Sequence, residues 1–128
     1  MKNHKKTSAE WHKQADYDLV NAEVLFKNGL YVYTIFFCHL AVEKSLKGLY
    51  VKIMDQNPPR THILTFLLSK LNLEVPQHLS AFFERMNHIS APIRYPKDLQ
   101  DLVKQYRKGE TRKILDQSRE LIEWIKEK

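Results

Sequence analysis

Two acidic side chains occupy positions that ordinarily face a protein core. Glu43 lies in a segment of helical period, and His39 and Lys47, one turn before and one turn after it, fall within the same apolar stripe. Asp18 has a similar position on the preceding segment. Because an unpaired buried carboxylate is costly, each acid needs hydrogen-bond donors or must take up a proton. The pattern predicts either a buried ion-pair network that fixes helix register, or a polar pocket between helices or across a dimer interface.

The donors for these acids are basic side chains one helical turn away or on another segment. Lys47 follows Glu43 by four residues, which is the favourable order for an ion pair on a helix. Arg94 lies in a stretch bounded by prolines, and a guanidinium group matches the geometry of a carboxylate. We therefore expect Glu43 to be paired, with Lys47 or Arg94 as its donor. The residues of the predicted buried polar network are Asp18, His39, Glu43 and Lys47.

A second set of reactive side chains clusters around predicted loops and helix ends. His62 follows Thr61, the predicted N-cap of a helix, and the positive end of the helix dipole disfavours a charged imidazole. A neutral imidazole near arginines can accept the proton of an RNA 2′-hydroxyl, although an ordinary histidine at a helix start is the alternative. The candidate catalytic residues are His62, His88 and Arg94. The candidate ligand-binding residues are Lys47, Arg60, His62, Arg94 and Tyr95.

Other chemistries find less support. His39 and Glu43 place two possible metal ligands on one helical face, as metal sites require. Glu84 and His88 do the same, but the paired Glu-x-x-His motifs of di-iron bundles are absent. Cys38 has no nucleophile signature and is interpreted as a small buried apolar residue, and no Gly-rich phosphate loop or dinucleotide fingerprint occurs. We expect neither a metal nor a cofactor.

Size and composition bound the class of protein. The 128 residues, 43% of them hydrophobic, fit a single domain spanning residues 1–128. One cysteine excludes an intramolecular disulfide, and no stretch approaches the ~20 apolar residues of a membrane span, so we expect a cytoplasmic protein without membrane attachment. Residues 1–7 are predicted to form a flexible basic tail. The net charge of +6 is compatible with nucleic acid or nucleotide phosphates as partners.

Long stretches of helical period separated by short breaks predict an all-α protein. The expected architecture is an antiparallel up-and-down bundle of four main helices plus a shorter one. The main helices are predicted at about residues 8–28, 30–55, 76–90 and 110–127, and the shorter one after Thr61. Residues 91–108 are left without an assigned structure. The predicted buried residues of the last two main helices are Leu79, Phe82, Phe83, Met86, Ile114, Leu115, Leu121, Ile122 and Ile125.

Three stretches of the chain, in this order, resemble one known family, the HEPN domain, the higher-eukaryote and prokaryote nucleotide-binding family. The first stretch runs from Trp11 to Val51, the second is "PPRTHILTFLL" and the third is "IRYPKD". Four local patterns carry the resemblance, namely Trp11–Ala15–Asp18-Leu19–Ala22, Ala41-Val42-Glu43-Lys44 with Lys47, Thr61-His62, and Arg94-Tyr95-Pro96.

The resemblance implies an up-and-down helical bundle that forms a homodimer. Family members often accompany a minimal nucleotidyltransferase, frequently as toxin–antitoxin pairs; some bind nucleotides, and others are metal-independent ribonucleases with an Arg-x4-6-His motif. Here Arg60 and His62 are separated by one residue. Arg85 and His88 are separated by two, and no histidine follows Arg94. The resemblance, the positive charge and the missing motif favour a non-catalytic or weakly catalytic subunit that binds nucleotide or RNA phosphate and pairs with a nucleotidyltransferase. A ribonuclease toxin and a purely structural dimeric scaffold are the alternatives.

Overall fold

The structure is a computed structural model that describes residues 5–128, and within that range it contains helices and no strands. The predicted all-α class is therefore confirmed. The helices found in the described part of the chain are α1 (Ser8–Lys27), α2 (Tyr31–Met54), α3 (Leu64–Leu71), α4 (Gln77–Arg94), α5 (Leu99–Gln105) and α6 (Lys108–Lys126).

The first two helices form a hairpin that carries the rest of the molecule. Thr7 caps α1, because its hydroxyl accepts a hydrogen bond from the backbone N–H of Glu10 at 3.0 Å. Gly29 then adopts a left-handed conformation with φ +75°, which reverses the chain within a few residues. The short turn makes α2 return antiparallel to α1 and pack along it.

Helix α2 is central and is buried on nearly all sides. Between Ala41 and Leu49 every residue except Lys44 is buried, since α2 packs against α1, α3, α4 and α6. Helix α1 approaches α2 closely at Gly48, where an added Cβ would lie 3.1 Å from Cβ of Trp11. A helix covered on several sides has no solvent-facing side for its polar residues. This is why charged groups of α2 lie inside the molecule.

The predicted cap of the third helix is wrong. Helix α3 begins at Leu64, and Thr61 accepts a hydrogen bond from the N–H of Ile63 before the helix starts. The free N–H of Leu64 donates instead to the side chain of Asn87 on α4, at 3.0 Å. Asn87, on another helix, thus satisfies one of the free amides at the start of α3. His62 consequently lies in the connection before α3 and not in its first turn.

Helix α4 is longer than predicted, because Pro92 does not end it. The helix was expected to stop near Ser90, yet it continues to Arg94, and the N–H of Tyr95 still donates to the carbonyl of Ala91 at 2.9 Å. A proline lacks the N–H that donates one helical hydrogen bond. In the last turn of α4 only that one bond is lost, so the helix continues. Arg94 is therefore fixed on the final turn of a helix and does not sit in a loop.

The segment left unassigned in the sequence contains a short helix. The side chain of Asp98 caps α5 by accepting from the N–H groups of Gln100 at 3.0 Å and Asp101 at 3.3 Å. Leu102 and Tyr106 are buried and add to the core. The buried residues predicted for α4 and α6 are all buried in the structure, so that prediction is confirmed.

The chain before α1 contacts the hairpin. Part of the predicted tail, residues 1–4, lies outside the described residues. Nζ of Lys5 is 2.7 Å from Oδ1 of Asp55, at the end of α2, and Nζ of Lys6 is 3.9 Å from the centre of the Trp11 ring. None of the helices in residues 5–128 has the length and apolar character needed to cross a membrane.

Candidate functional site

A single buried carboxylate gathers basic side chains from three parts of the chain. The side chain of Glu43 is only 4% exposed. Its Oε1 lies 2.9 Å from Nδ1 of His62 and accepts a hydrogen bond from Nη2 of Arg94 at 3.3 Å, while its Oε2 accepts from Nζ of Lys47 at 3.0 Å. We call Glu43, Lys47, His62 and Arg94 the Glu43 cluster. Both donors expected from the sequence contact Glu43 at once, and His62 joins them.

Three segments of the chain position the four members of the cluster. Glu43 and Lys47 share one face of α2, because residues four apart lie one turn above each other. His62 comes from the connection between α2 and α3, and Arg94 comes from the last turn of α4. The cluster therefore ties three segments together at one carboxylate.

His39 lies beside the cluster but is not hydrogen-bonded to it. Its Nδ1 is 3.9 Å from Oε1 of Glu43, which is too long for a hydrogen bond. Neither ring nitrogen has a hydrogen-bond partner within residues 5–128. The pKa of His39 is lowered to about 4, mainly by burial; Glu43 raises it, while the charges of Arg94 and His62 lower it. His39 is thus a neutral imidazole at neutral pH.

Aromatic rings support the two permanent cations of the cluster. The guanidinium carbon of Arg94 lies 5.1 Å from the centre of the Phe36 ring, and Nζ of Lys47 lies 5.7 Å from the centre of the Trp11 ring. Both distances are within the range of cation–π attraction. The rings also restrict the rotamers of the two basic side chains, which are themselves largely buried. Their positive charges are therefore held in place by packing as well as by Glu43.

His62 is the part of the cluster that reaches solvent, with its side chain 57% exposed. Because a carboxylate only accepts hydrogen bonds, the contact with Glu43 places the hydrogen of a neutral His62 on Nδ1. Nε2 then carries a lone pair and has no partner in the described chain. An imidazole oriented by a carboxylate in this way can act as a general base, and when protonated it can donate to an anion.

The charges of the cluster do not cancel. Lys47 and Arg94 supply two positive charges against the one negative charge of Glu43, and protonation of His62 adds a third. Such an excess next to an exposed imidazole attracts anions. Binding of a metal ion is disfavoured, because both oxygens of Glu43 already face basic groups. No group of three or more His, Cys, Asp or Glu side chains is arranged to hold a metal within residues 5–128.

Asp18 belongs to a different pair. Its Oδ2 lies 2.9 Å from Nζ of Lys44, at the interface between α1 and α2. The four residues of the predicted polar network are all buried, but they do not form one network. Asp18 is separate because Lys44, one residue after Glu43, points towards α1.

The other candidate residues lie outside the cluster. Arg60 is exposed two residues before His62, and Tyr95 follows Arg94 with 78% of its surface exposed. His88 is exposed on α4 without a hydrogen bond or ion pair in the described part of the chain, and Arg85 pairs with Glu110. Among the candidate catalytic residues, the structure thus brings together His62 and Arg94 but not His88.

Two features of the site were missed in the sequence. The contact of His62 with Glu43 depends on the path of the connection after α2, for which Pro58-Pro59 signalled only a break. The position of Phe36 in the sequence does not indicate that its ring supports Arg94. Cys38 is buried as expected, and burial raises the pKa of its thiol to about 12, which makes it a poor nucleophile.

Comparison with known proteins gives one family. The sequence model of the HEPN domain matches residues 8–128. The structure is similar to that of TT1696 from Thermus thermophilus, with a TM-score of 0.80 and 25% identity over 94% of this chain and 96% of that one. It is also similar to ST0689, an archaeal HEPN homologue, with a TM-score of 0.75 and 23% identity over the same shares of the two chains. No curated protein matches the sequence significantly.

Proposed function

Because the chain belongs to the HEPN domain family, we propose that it binds a phosphate group of a nucleotide or of RNA at the exposed edge of the Glu43 cluster. The observation that carries this proposal is the convergence of Lys47, Arg94 and His62 on one carboxylate, with His62 exposed to solvent. An anion at this edge accepts a hydrogen bond from Nε2 when His62 is protonated. Arg60, exposed two residues earlier, adds a charge that can reach the same ligand.

The buried carboxylate of Glu43 keeps the cations of this site together. Without Glu43, Lys47 and Arg94 would repel each other at short range, and the cluster would spread apart. With it, the cations stay together and retain a net positive charge. The ligand then meets a prearranged set of donors, which lowers the cost of ordering them on binding.

Thermal unfolding with and without ligand tests the proposal. ATP, GTP or a short oligoribonucleotide at a concentration about 100-fold above its Kd should add roughly 2.7 kcal/mol to the free energy of unfolding and raise the Tm. His62→Ala and Arg60→Ala should reduce the shift. His78→Ala is the matched control, since His78 is also exposed and pairs with a carboxylate, that of Glu120 at 2.8 Å. If none of the three ligands shifts the Tm, phosphate binding is rejected.

A ribonuclease is the second candidate, and the pairing of His62 with Glu43 favours it. A base with a carboxylate on one nitrogen and a free lone pair on the other can remove the proton of a 2′-hydroxyl, and Arg94 beside it can stabilise the phosphorane charge. The family's Arg-x4-6-His spacing is missing, so this function requires a different pair of residues. Expression should then arrest growth and leave cut RNA, and His62→Ala should abolish both effects while His78→Ala retains them. Normal growth with intact RNA rejects this candidate.

We also propose that the protein forms a homodimer and pairs with a minimal nucleotidyltransferase, as part of a toxin–antitoxin system. Family membership supports this, as does an apolar cavity of about 270 Å³ whose rim exposes Leu30, Tyr33, Leu99 and Val103. Exposed apolar patches of this kind mark protein–protein contacts. Light scattering measures the mass of the protein alone, and co-expression with a nucleotidyltransferase encoded next to its gene tests the pair. A monomer that does not co-purify with that enzyme contradicts both proposals.

A further inference from the structure

A second cavity lies directly beyond Arg94, between the last turn of α4 and the first turn of α5. Its volume is about 390 Å³, and its walls include Pro92, Tyr95, Pro96, Lys97 and Asp101. Pockets that bind small molecules start at about 300 Å³ and are mostly apolar with a few polar groups. The lining of this cavity follows that pattern, with two proline rings and an aromatic ring beside one lysine and exposed carboxylates.

The aromatic wall is free to stack. Tyr95 is 78% exposed, and its side chain forms no hydrogen bond, ring contact or cation–π contact within residues 5–128. Pro92 and Pro96 add apolar surface to the lining of the same cavity. Nucleobases stack on exposed aromatic side chains, with about 1–3 kcal/mol gained for each base. A planar heterocycle therefore fits this wall better than an aliphatic group does.

One carboxylate of the cavity is available to a ligand. Asp98 is engaged as the cap of α5, whereas the carboxylate of Asp101 has no hydrogen bond or ion pair in the described chain. A carboxylate accepts two parallel N–H bonds, as it does from arginine. Guanine presents two adjacent donors, N1–H and the N2 amino group, on one edge, and the other common bases do not.

We propose that this cavity is a guanine subsite that holds the base of the nucleotide or RNA residue whose phosphate binds at the Glu43 cluster. The inference rests on the proposed function. Its geometric basis is the adjacency of Arg94 and Tyr95, whose Cα atoms are separated by about 3.8 Å, as in any trans peptide. Arg94 contacts Glu43 and Tyr95 lines the cavity, so the cluster and the cavity are served by consecutive residues of the chain. Lys97 at the cavity provides a further contact for the phosphate backbone.

Calorimetric titration of the full chain with GTP, ATP and inorganic tripolyphosphate tests the subsite. We expect GTP to bind about tenfold more tightly than ATP, the factor that corresponds to one well-placed pair of base hydrogen bonds. Asp101→Asn should remove this preference. Tyr95→Ala should weaken both nucleotides but not tripolyphosphate, and Tyr95→Phe should restore their binding. Tyr17→Ala, at another exposed tyrosine, is the control and should have no effect.

The outcomes separate the subsite from the proposed function. Equal affinities for GTP and ATP, or an unchanged affinity in Tyr95→Ala, reject the guanine subsite. If tripolyphosphate also binds as tightly as GTP and its binding needs His62, phosphate binding stands and only the base site is rejected. If GTP, ATP and tripolyphosphate all fail to bind, the proposed function falls and the subsite falls with it.

Discussion

Glu43 is the residue on which the site depends. Its replacement by alanine leaves Lys47 and Arg94 buried without a counter-charge, and the loss of one member of a buried ion pair costs about 3–5 kcal/mol. We therefore expect Glu43→Ala to lower the free energy of unfolding, measured with urea, by an amount in that range. Glu120→Ala, which removes an exposed partner of His78, should cost less than about 1 kcal/mol. A loss for Glu43→Ala as small as the control's would mean that the cluster is hydrated.

The buried imidazole of His39 makes the stability of the fold depend on pH. Its pKa falls from 6.5 in the unfolded chain to about 4 in the fold, mainly because burial disfavours the charged ring. Below 6.5 the unfolded state binds a proton that the folded state does not, so stability decreases as the pH falls from 6.5 to about 4. Its neighbours act in opposite directions, since Glu43 raises this pKa while Arg94 and His62 lower it.

A substitution at His39 isolates this effect. The shift in pKa corresponds to up to about 3 kcal/mol of stability lost between the two pH limits. His39→Leu should therefore show a shallower loss of stability on acidification than the unmodified protein does, in urea unfolding at a series of pH values. Identical slopes for the protein and for His39→Leu would contradict the account.

The sequence predicted part of this site, for local reasons. Lys47 was identified because a spacing of four residues on a helix determines which side chains meet. Arg94 was identified because its guanidinium group matches a carboxylate. Its position on a helix was not predicted. The contact of His62 could not be predicted, because it depends on the route of a connection whose own backbone has no periodicity. Asp18 was assigned to the same network because its helical position lies on the buried face of α1. Its partner is Lys44, and that pairing depends on how α1 is rotated relative to α2, which helical spacing does not determine.

At the scale of helices, the hairpin of α1 and α2 requires a residue without a side chain at Gly48. An added Cβ would lie 3.0 Å from Nε2 of His12 and 3.1 Å from Cβ of Trp11, which cannot move without the helix. We expect Gly48→Val to destabilise by about 1–3 kcal/mol, as overpacked core positions do. Spectroscopic thermal unfolding measures this change.

Gly109 provides the opposite case in α6. Apart from Gly109 itself, its two neighbours in the chain and the adjoining helix backbone, no heavy atom lies within 4 Å of the position where its Cβ would be. Gly109→Ala should therefore stabilise by about 0.4–1 kcal/mol, because alanine restricts the unfolded chain more than glycine does. If both glycine variants change stability in the same direction, the close approach at Gly48 is not what selects glycine there.

The boundaries of the helices show which signals are local. The bounds of α1, α2 and α6 agree with their predicted positions to within a few residues, because long apolar periods and a clear stop at Asn28-Gly29 mark them. Thr61 was assigned as a cap on residue type alone. The N–H of Leu64 instead donates to the side chain of Asn87 on α4. Pro92 was interpreted as a helix break. A proline near the end of a helix removes only one hydrogen bond, however, and that loss does not end the helix. The missed α5 is only seven residues long, which is too short for a reliable period.

At the scale of the whole molecule, the net charge of +6 attracts any polyanion, and this attraction has to be separated from binding at the site. Salt dependence makes the separation. For single-stranded nucleic acid, the slope of log K against log salt is about −0.7 for each phosphate neutralised. A diffuse attraction involves many basic residues, and no single one controls its slope.

Binding at the Glu43 cluster makes a different prediction for the slope. Arg60→Ala should reduce the magnitude of the slope for an oligoribonucleotide by about 0.7, because one phosphate contact is lost. Arg112→Ala is the matched control: Arg112 is also exposed, but it pairs with Asp116 on α6, and its removal should leave the slope unchanged. Fluorescence anisotropy at several salt concentrations measures both. Equal reductions for the two variants would assign RNA binding to the overall charge of the molecule, whereas a reduction confined to Arg60→Ala places the phosphate beside His62.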